Sequence, residues 1–322
     1  MTRATLERRQ VWCYLGAVLG GLIVGTLAPG AGHAFEAMVW PVIGLLLYAT
    51  FTQVPLTTIA AAFKDTRFLT AALIGNFVIL PLLVWALVQF LPQDQAIRTG
   101  LLLVLLVPCT DWFITFSQLG KGDTARATAV TPLNLVVQLL LLPLYLWVMT
   151  GGQFSAVFAP RDIWPALVVV VAPLIAAGLS ELWFRADPGR ERARDLLGWG
   201  PVPLLALVIG LVAAAHVGAV RDALGLLPVV IIAALAFLAA GLALAKIMSV
   251  IFGLPATQGR TLAFSFGTRN SFVVLPFALS LPAGWEIASI VIVMQSLVEL
   301  LGMVFYLWFV PHALFPARGP RT

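Results

Sequence analysis

Apolar residues run along this chain in stretches of about 20, the length a helix needs to cross the hydrocarbon core of a bilayer, separated by short polar, glycine- or proline-bearing connections. Ten such stretches are predicted as membrane-spanning helices: 11–28, 38–55, 68–91, 99–119, 127–150, 162–184, 196–217, 227–252, 258–281 and 285–310. Two of them are interrupted. The fourth contains Pro108-Cys109-Thr110-Asp111 and the ninth Gly267-Thr268-Arg269-Asn270.

The pattern is also written twice. Asn134, Gln138 and Tyr145-Leu146-Trp147 recur 161 positions later as Gln295, Glu299 and Tyr306-Leu307-Trp308, and Trp40-Pro41-Val42 is answered by Gly200-Pro201-Val202 at 160. The two interruptions fall within a residue or so of the same interval. Five spans per copy is an odd number, so the second copy enters the membrane upside down. The expected fold is an all-α polytopic membrane protein made of two inverted five-helix repeats, 1–151 and 152–322. Weak internal symmetry with corresponding broken spans points to a secondary transporter whose site lies near the bilayer midplane.

Composition agrees with a membrane protein and excludes a soluble one: 61% of the 322 residues are apolar and 10% charged, with a mean hydropathy of +1.01. The net charge of +5 reflects topology and gives no reason to expect nucleic acid as a partner. Fourteen Lys and Arg residues (Arg3, Arg8, Arg9, Lys64, Arg67, Lys121, Arg126, Arg185, Arg190, Arg192, Arg194, Arg260, Arg318, Arg321) fall on one side, and Arg98, Arg161 and Arg221 on the other. Positive charge marks the cytoplasmic side, so both termini are expected in the cytoplasm. Arg185 to Asp195 reads as the linker between halves, with Pro188-Gly189 as its turn. Lys246, a little over one turn inside span 8, is expected to snorkel.

Inside a bilayer, irregular backbone persists only where protein or a water-filled cavity surrounds it. Both interruptions should therefore face the interior, and crossing them would make one polar site. Asp111 and Arg269 are the charges nearest the midplane; each either compensates the other or caps a half-helix end, or else takes a proton or substrate. Glu299 is the third intramembrane charge, with Gln295 one turn away. Asn134 and Gln138 make the matching pair in the first copy, open to a bland reading as interhelical hydrogen bonds. Glu299 is ionisable where Gln138 is not, which favours it for proton coupling. Asn76 in span 3 and Ser265 in span 9 belong to the same candidate polar cluster. Cys13 and Cys109 are the two cysteines. They exclude a disulfide framework and a multi-cysteine metal cage. Cys109, beside a proline at the break, is a soft ligand suited to thiophilic species.

At these residues the chain resembles the bile acid/sodium symporter superfamily, most closely its arsenical-resistance branch, the arsenite-efflux permeases. Cys109 followed by Lys121-Gly122-Asp123, then Asn134-x-x-x-Gln138, resembles that branch. Gly267-Thr268-Arg269-Asn270-Ser271 and Val298-Glu299 resemble the superfamily's ninth and tenth spans. The resemblance covers spans 1 to 10. It implies a panel of spans 1, 2, 6 and 7 moving against a core of spans 3–5 and 8–10, with broken helices 4 and 9 crossing in the core. It further implies export of arsenite, and by extension antimonite, across the cytoplasmic membrane in exchange for protons, with Cys109 essential; beside it, the reading of the residues puts Thr110, Asn134, Arg269 and Asn270 at the substrate and the proton on Glu299 or Asp111. Ser265 and Arg269 stand where the sodium-coupled symporters carry glutamate and glutamine, so a sodium ion there would lose a carboxylate and meet a fixed positive charge. Val273, and Val107 or Leu106, also depart from residues usual in the arsenical branch, and Asp111 and Arg269 are typical of neither branch.

The alternative within the superfamily is an organic-anion carrier in which Arg269 holds a carboxylate or sulfonate. From another class, Gly120-Lys121-Gly122-Asp123 matches the Gly-x-Gly-Asp string of intramembrane aspartyl proteases. That chemistry needs two carboxylates sharing a proton, and Asp123 falls in a cytoplasmic connection. No nucleotide-binding loop, metal-ligand cluster or nucleophile triad is written in the chain. The expected partners are a small inorganic or anionic solute, protons and the lipid bilayer, with no cofactor.

Overall fold

The computed structural model describes residues 3–54, 64–150 and 160–316. Among them the fold is all-helical: α1 (Arg3–Leu27), α2 (Gly32–Phe51), α3 (Thr66–Gln89), α4 (Gln95–Leu105), α5 (Trp112–Leu119), α6 (Thr124–Met149), α7 (Pro160–Arg185), α8 (Glu191–Leu197), α9 (Pro201–Ala215), α10 (Val217–Ala223), α11 (Leu227–Ile251), α12 (Ala256–Gly267), α13 (Ser271–Leu279) and α14 (Glu286–Phe309). A π turn, Gly75–Ile79, lies within α3, and another, Val310–Leu314, extends α14.

Eight helices among the described residues are long and apolar enough to cross a membrane. The predicted spans 4 and 9 are each split: residues 106–111 separate α4 from α5, and 268–270 separate α12 from α13. At about 1.5 Å per residue, none of these four half-helices crosses the core alone. The predicted linker differs from expectation, because after a 3-10 turn at Pro188–Arg190 the chain forms α8 and runs on into α9. Boundary position 151, the end of span 2 at 55, and Arg318 and Arg321 lie outside the described residues.

Acidic residues at the helix starts decide where α3, α4 and α6 begin, by accepting amides that have no helical partner. Asp65 accepts from Phe68 N (3.2 Å), Asp94 from Ala96 N and Ile97 N (2.9 and 3.0 Å), and Asp123 from Arg126 N (3.1 Å).

Helices α1, α2, α7 and α9 pack chiefly on one another, and α3–α6 with α11–α14 make the other group. Small residues let α1 and α9 approach at backbone distance. A Cβ on Gly21 would lie 2.2 Å from Gly210 O, and one on Gly25 would lie 2.3 Å from Ala214 O. Tyr48 and Ser180 hydrogen-bond across α2 and α7 (2.9 Å). In the second group, Tyr145 donates to Phe77 O and Tyr306 to Leu238 O, both at 2.5 Å. Tyr145 and Tyr306 stand 161 positions apart, as do Phe77 and Leu238. Lys246, expected to snorkel, reaches Leu314 O (2.9 Å) and lies 4.9 Å over the Phe315 ring.

Candidate functional site

The two interruptions meet. Cys109 N donates to Thr268 O (3.2 Å) and Asn270 N to Val107 O (2.8 Å), which makes an isolated antiparallel bridge centred on Pro108 and Arg269. These bonds exchange under the interval of 161, since Cys109 corresponds to Asn270, Val107 to Thr268 and Pro108 to Arg269. Broken backbone buried in an apolar interior must find partners, and each interruption here supplies the other's. Asn270 Nδ2 adds a bond to Thr110 Oγ1 (3.0 Å), and its Oδ1 caps α13 at Val273 N (3.3 Å).

Arg269 lies in the second interruption, 2% exposed. Its Nη2 donates to Phe266 O (2.8 Å), to Ser265 O (3.4 Å) and to Asn76 Oδ1 (3.2 Å), so the cation sits on carbonyls at the C-terminal end of α12. That is where the helix dipole favours positive charge. The guanidinium lies 4.8 Å over the Phe237 ring, and Nε and Nη1 have no hydrogen-bond partner among the described residues. Asn76, on the π turn of α3, also donates to Ser265 Oγ (2.9 Å). Glu299 accepts from the backbone amide of Arg269 through both oxygens (3.1 and 3.0 Å) and from Gln295 Nε2 (3.0 Å).

Asp111 caps α5, one of the readings open for it, accepting from Trp112 N (2.7 Å), and it also accepts from Cys109 Sγ (3.1 Å). The same residue lines a cavity of about 100 Å³ between α1, α2 and α9 on one side and α5 and α14 on the other, with Gln10, Thr50, Gln53, Thr115 and Leu300 also in its wall. These residues cluster at the ends that carry the excess of Lys and Arg. The cavity lies toward that face, and its wall reaches the thiol through Asp111, which accepts from Cys109 Sγ.

Of the candidates, Cys109, Thr110, Asp111, Asn76, Ser265, Arg269, Asn270, Gln295 and Glu299 are brought into contact at or beside the crossover. Asn134 and Gln138, both buried on α6, make no hydrogen bond to the described residues through any side-chain N or O atom. Reading the chain alone missed Phe237, which faces the guanidinium, and Gln10, Thr50 and Gln53, which wall the cavity. The signal for the last three was polar residues at the ends of apolar spans.

Lys121-Gly122-Asp123 forms a turn seated on α12, with Lys121 at φ 57° and Asp123 N donating to Thr257 O (3.2 Å) and Thr261 Oγ1 (2.7 Å). The Asp123 carboxylate caps α6 and pairs with Arg126 (2.5 Å), which also pairs with Asp65 (2.6 Å). This carboxylate is thus engaged in capping and an ion pair at the end of the bundle, an arrangement unlike a proton-sharing protease dyad.

An all-helical, polytopic membrane protein with two interrupted helices joined at a buried polar crossover is the class that the fold and this site define. The family model described as the Sodium Bile acid symporter family matches residues 40–223, and the chain belongs to that family. The arsenical-resistance protein Acr3 of Corynebacterium glutamicum is 26% identical over 213 residues, an alignment covering 62% of this chain and 55% of that protein. The chain thus spans about half the length of this curated relative.

Proposed function

We propose that the protein is a gradient-driven carrier that exports trivalent arsenic, and antimony by the same chemistry, across the cytoplasmic membrane in exchange for protons. The observation that carries this reading is the Cys109 thiol, which lies at the crossover and donates to Asp111, a residue of the cavity wall. A soft sulfur ligand suits a thiophilic trivalent oxyacid, and the similarity to an arsenical-resistance protein supports the same substrate. Thr110, Asn134, Arg269 and Asn270 surround the substrate, while Glu299 and Asp111 exchange the proton. Arg269 supplies a tethered positive charge where a sodium ion would otherwise have to sit, which favours protons as the coupling ion.

The chain folds as two inverted halves, 1–151 and 152–322, whose crossing interruptions form the fixed site. Alternating access comes from α1, α2, α7 and α9 moving as a panel against the remaining helices. The cavity lies on the side that the Lys and Arg distribution assigns to the cytoplasm, as an exporter waiting for substrate requires.

The unpartnered Nε and Nη1 of Arg269 favour a second reading, an organic-anion carrier holding a carboxylate there. One assay separates the two. In a strain lacking other arsenic exporters, the wild-type chain confers arsenite tolerance and Cys109→Ala loses it. Full tolerance with Cys109→Ala removes the soft-ligand role of the thiol, and no tolerance from the wild-type chain leaves the anion reading.

A further inference from the structure

The two halves differ at one pair of equivalent positions in a way that leaves polar atoms over. At the interval of 161, Glu299 on α14 corresponds to Gln138 on α6, and Arg269 corresponds to Pro108. Helices α6 and α14 are anchored alike, because Tyr145 and Tyr306, each seven residues beyond these positions, donate to the equivalent carbonyls of Phe77 and Leu238. Glu299 is satisfied by the backbone N–H of Arg269. Pro108 has no N–H to offer. Among the described residues, Gln138 has no partner for Oε1 or Nε2, nor has Asn134, one turn before it, for Oδ1 or Nδ2; the two residues are 2% and 0% exposed.

Buried amides without partners are costly, and four such atoms on one helix face mark a place where a ligand completes the bonding. A cation would satisfy the two oxygens and leave the two amino groups; an anion would do the reverse. A hydroxyl both donates and accepts, so a neutral polyhydroxy species satisfies all four atoms.

We propose that Asn134 and Gln138 form a hydroxyl-reading subsite for the substrate that Cys109 holds, specific for a neutral trivalent oxyacid. The proposal rests on the arsenical reading above and deepens it. Arsenous acid carries three hydroxyls. When the Cys109 sulfur bonds to arsenic, one As–O bond breaks and the thiol proton leaves with that hydroxyl as water; no atom changes oxidation state. Asp111 Oδ1, at 3.1 Å from Sγ, is placed to relay the proton. Two hydroxyls remain, one for each amide.

The test is equilibrium binding of arsenite to the full chain, purified and reconstituted in lipid nanodiscs, with Cys13→Ser as the parent so that Cys109 is the one thiol. The parent binds one arsenite and Cys109→Ala does not. Asn134→Leu and Gln138→Leu each weaken binding about tenfold or more, the size expected for losing a net hydrogen bond or two. Melting temperatures of both variants stay at or above the parent's, because an unpartnered amide has been replaced by an apolar side chain; Gln138→Met serves as the flexible isostere if Leu lowers it. Parent-like arsenite affinity in both folded amide variants, with Cys109→Ala still silent, overturns the subsite and means the amides hold ordered water only. Undiminished binding in Cys109→Ala, or none in the parent, overturns the arsenical reading and the subsite with it.

Discussion

Glu299 and Gln138 stand at equivalent positions on helices anchored in the same way, yet one is a carboxylate holding two interactions and the other an amide holding none. Glu299 accepts from Arg269 N, and at the position corresponding to Arg269 the first copy has Pro108, which has no N–H. A carboxylate that accepts from a backbone amide at the crossover senses its geometry directly, and it can exchange a proton where the amide cannot. Glu299→Gln retains an oxygen for Arg269 N but loses the exchangeable proton and the charge-assisted strength of the bond, about 1.5–3 kcal/mol for a group of this kind. The expected outcome is that arsenite still binds while proton-driven exchange is lost. Measuring binding and vesicle flux on the same preparation checks it, and undiminished flux would assign the proton elsewhere. The thiol, the two broken stretches and Glu299 were all readable in the chain, because polar or helix-breaking residues stand out against an apolar background. What Glu299 bonds was not readable. A buried acid and a buried arginine suggest an ion pair, whereas the acid takes the arginine's backbone N–H and the guanidinium turns to the carbonyls of Ser265 and Phe266.

At the scale of elements, the ends of α3, α6 and α12 are clasped through Asp65. Its carboxylate accepts from Phe68 N, from Arg126 Nε and from Gln258 Nε2 (3.0 Å). Burial works against its charge, but these partners outweigh it and hold the Asp65 carboxyl below its ordinary value of 3.8. A carboxyl lowered on folding contributes stability above its unfolded value, and that contribution fades as the pH falls through the lowered folded value. Asp65→Asn should therefore melt below wild type at neutral pH, with the gap closing below about pH 3.8; thermal melts across pH read this directly. The caps at Asp65, Asp94 and Asp123 went unremarked in the chain, although each acid stands just before an apolar run. The short helix α8 was not legible either, because a stretch with four arginines reads as a polar linker, and only the continuation into α9 shows it as a helical lead-in. The backbone bridge of Cys109 to Thr268 and Asn270 to Val107 was also beyond sequence rules. Side-chain patterns carry no information about which exposed amides will pair across 160 residues of chain.

For the whole molecule, the described helices divide by packing into two groups with a cavity between them, and the interruptions lie wholly within one group. That arrangement suits a carrier in which one group rocks while the site stays fixed. The close contact of α1 on α9 through Gly21, Gly25 and Gly210 would let their group move as a unit. Family membership agrees with transport, and the substrate and the driving ion are the substance of our proposal. The most direct test is arsenite uptake into everted membrane vesicles carrying this chain, under an imposed proton gradient or an imposed sodium gradient. Uptake driven by protons, indifferent to sodium and lost in Cys109→Ala, is the predicted result. Uptake that needs sodium, or that proceeds unchanged without the Cys109 thiol, would contradict the account.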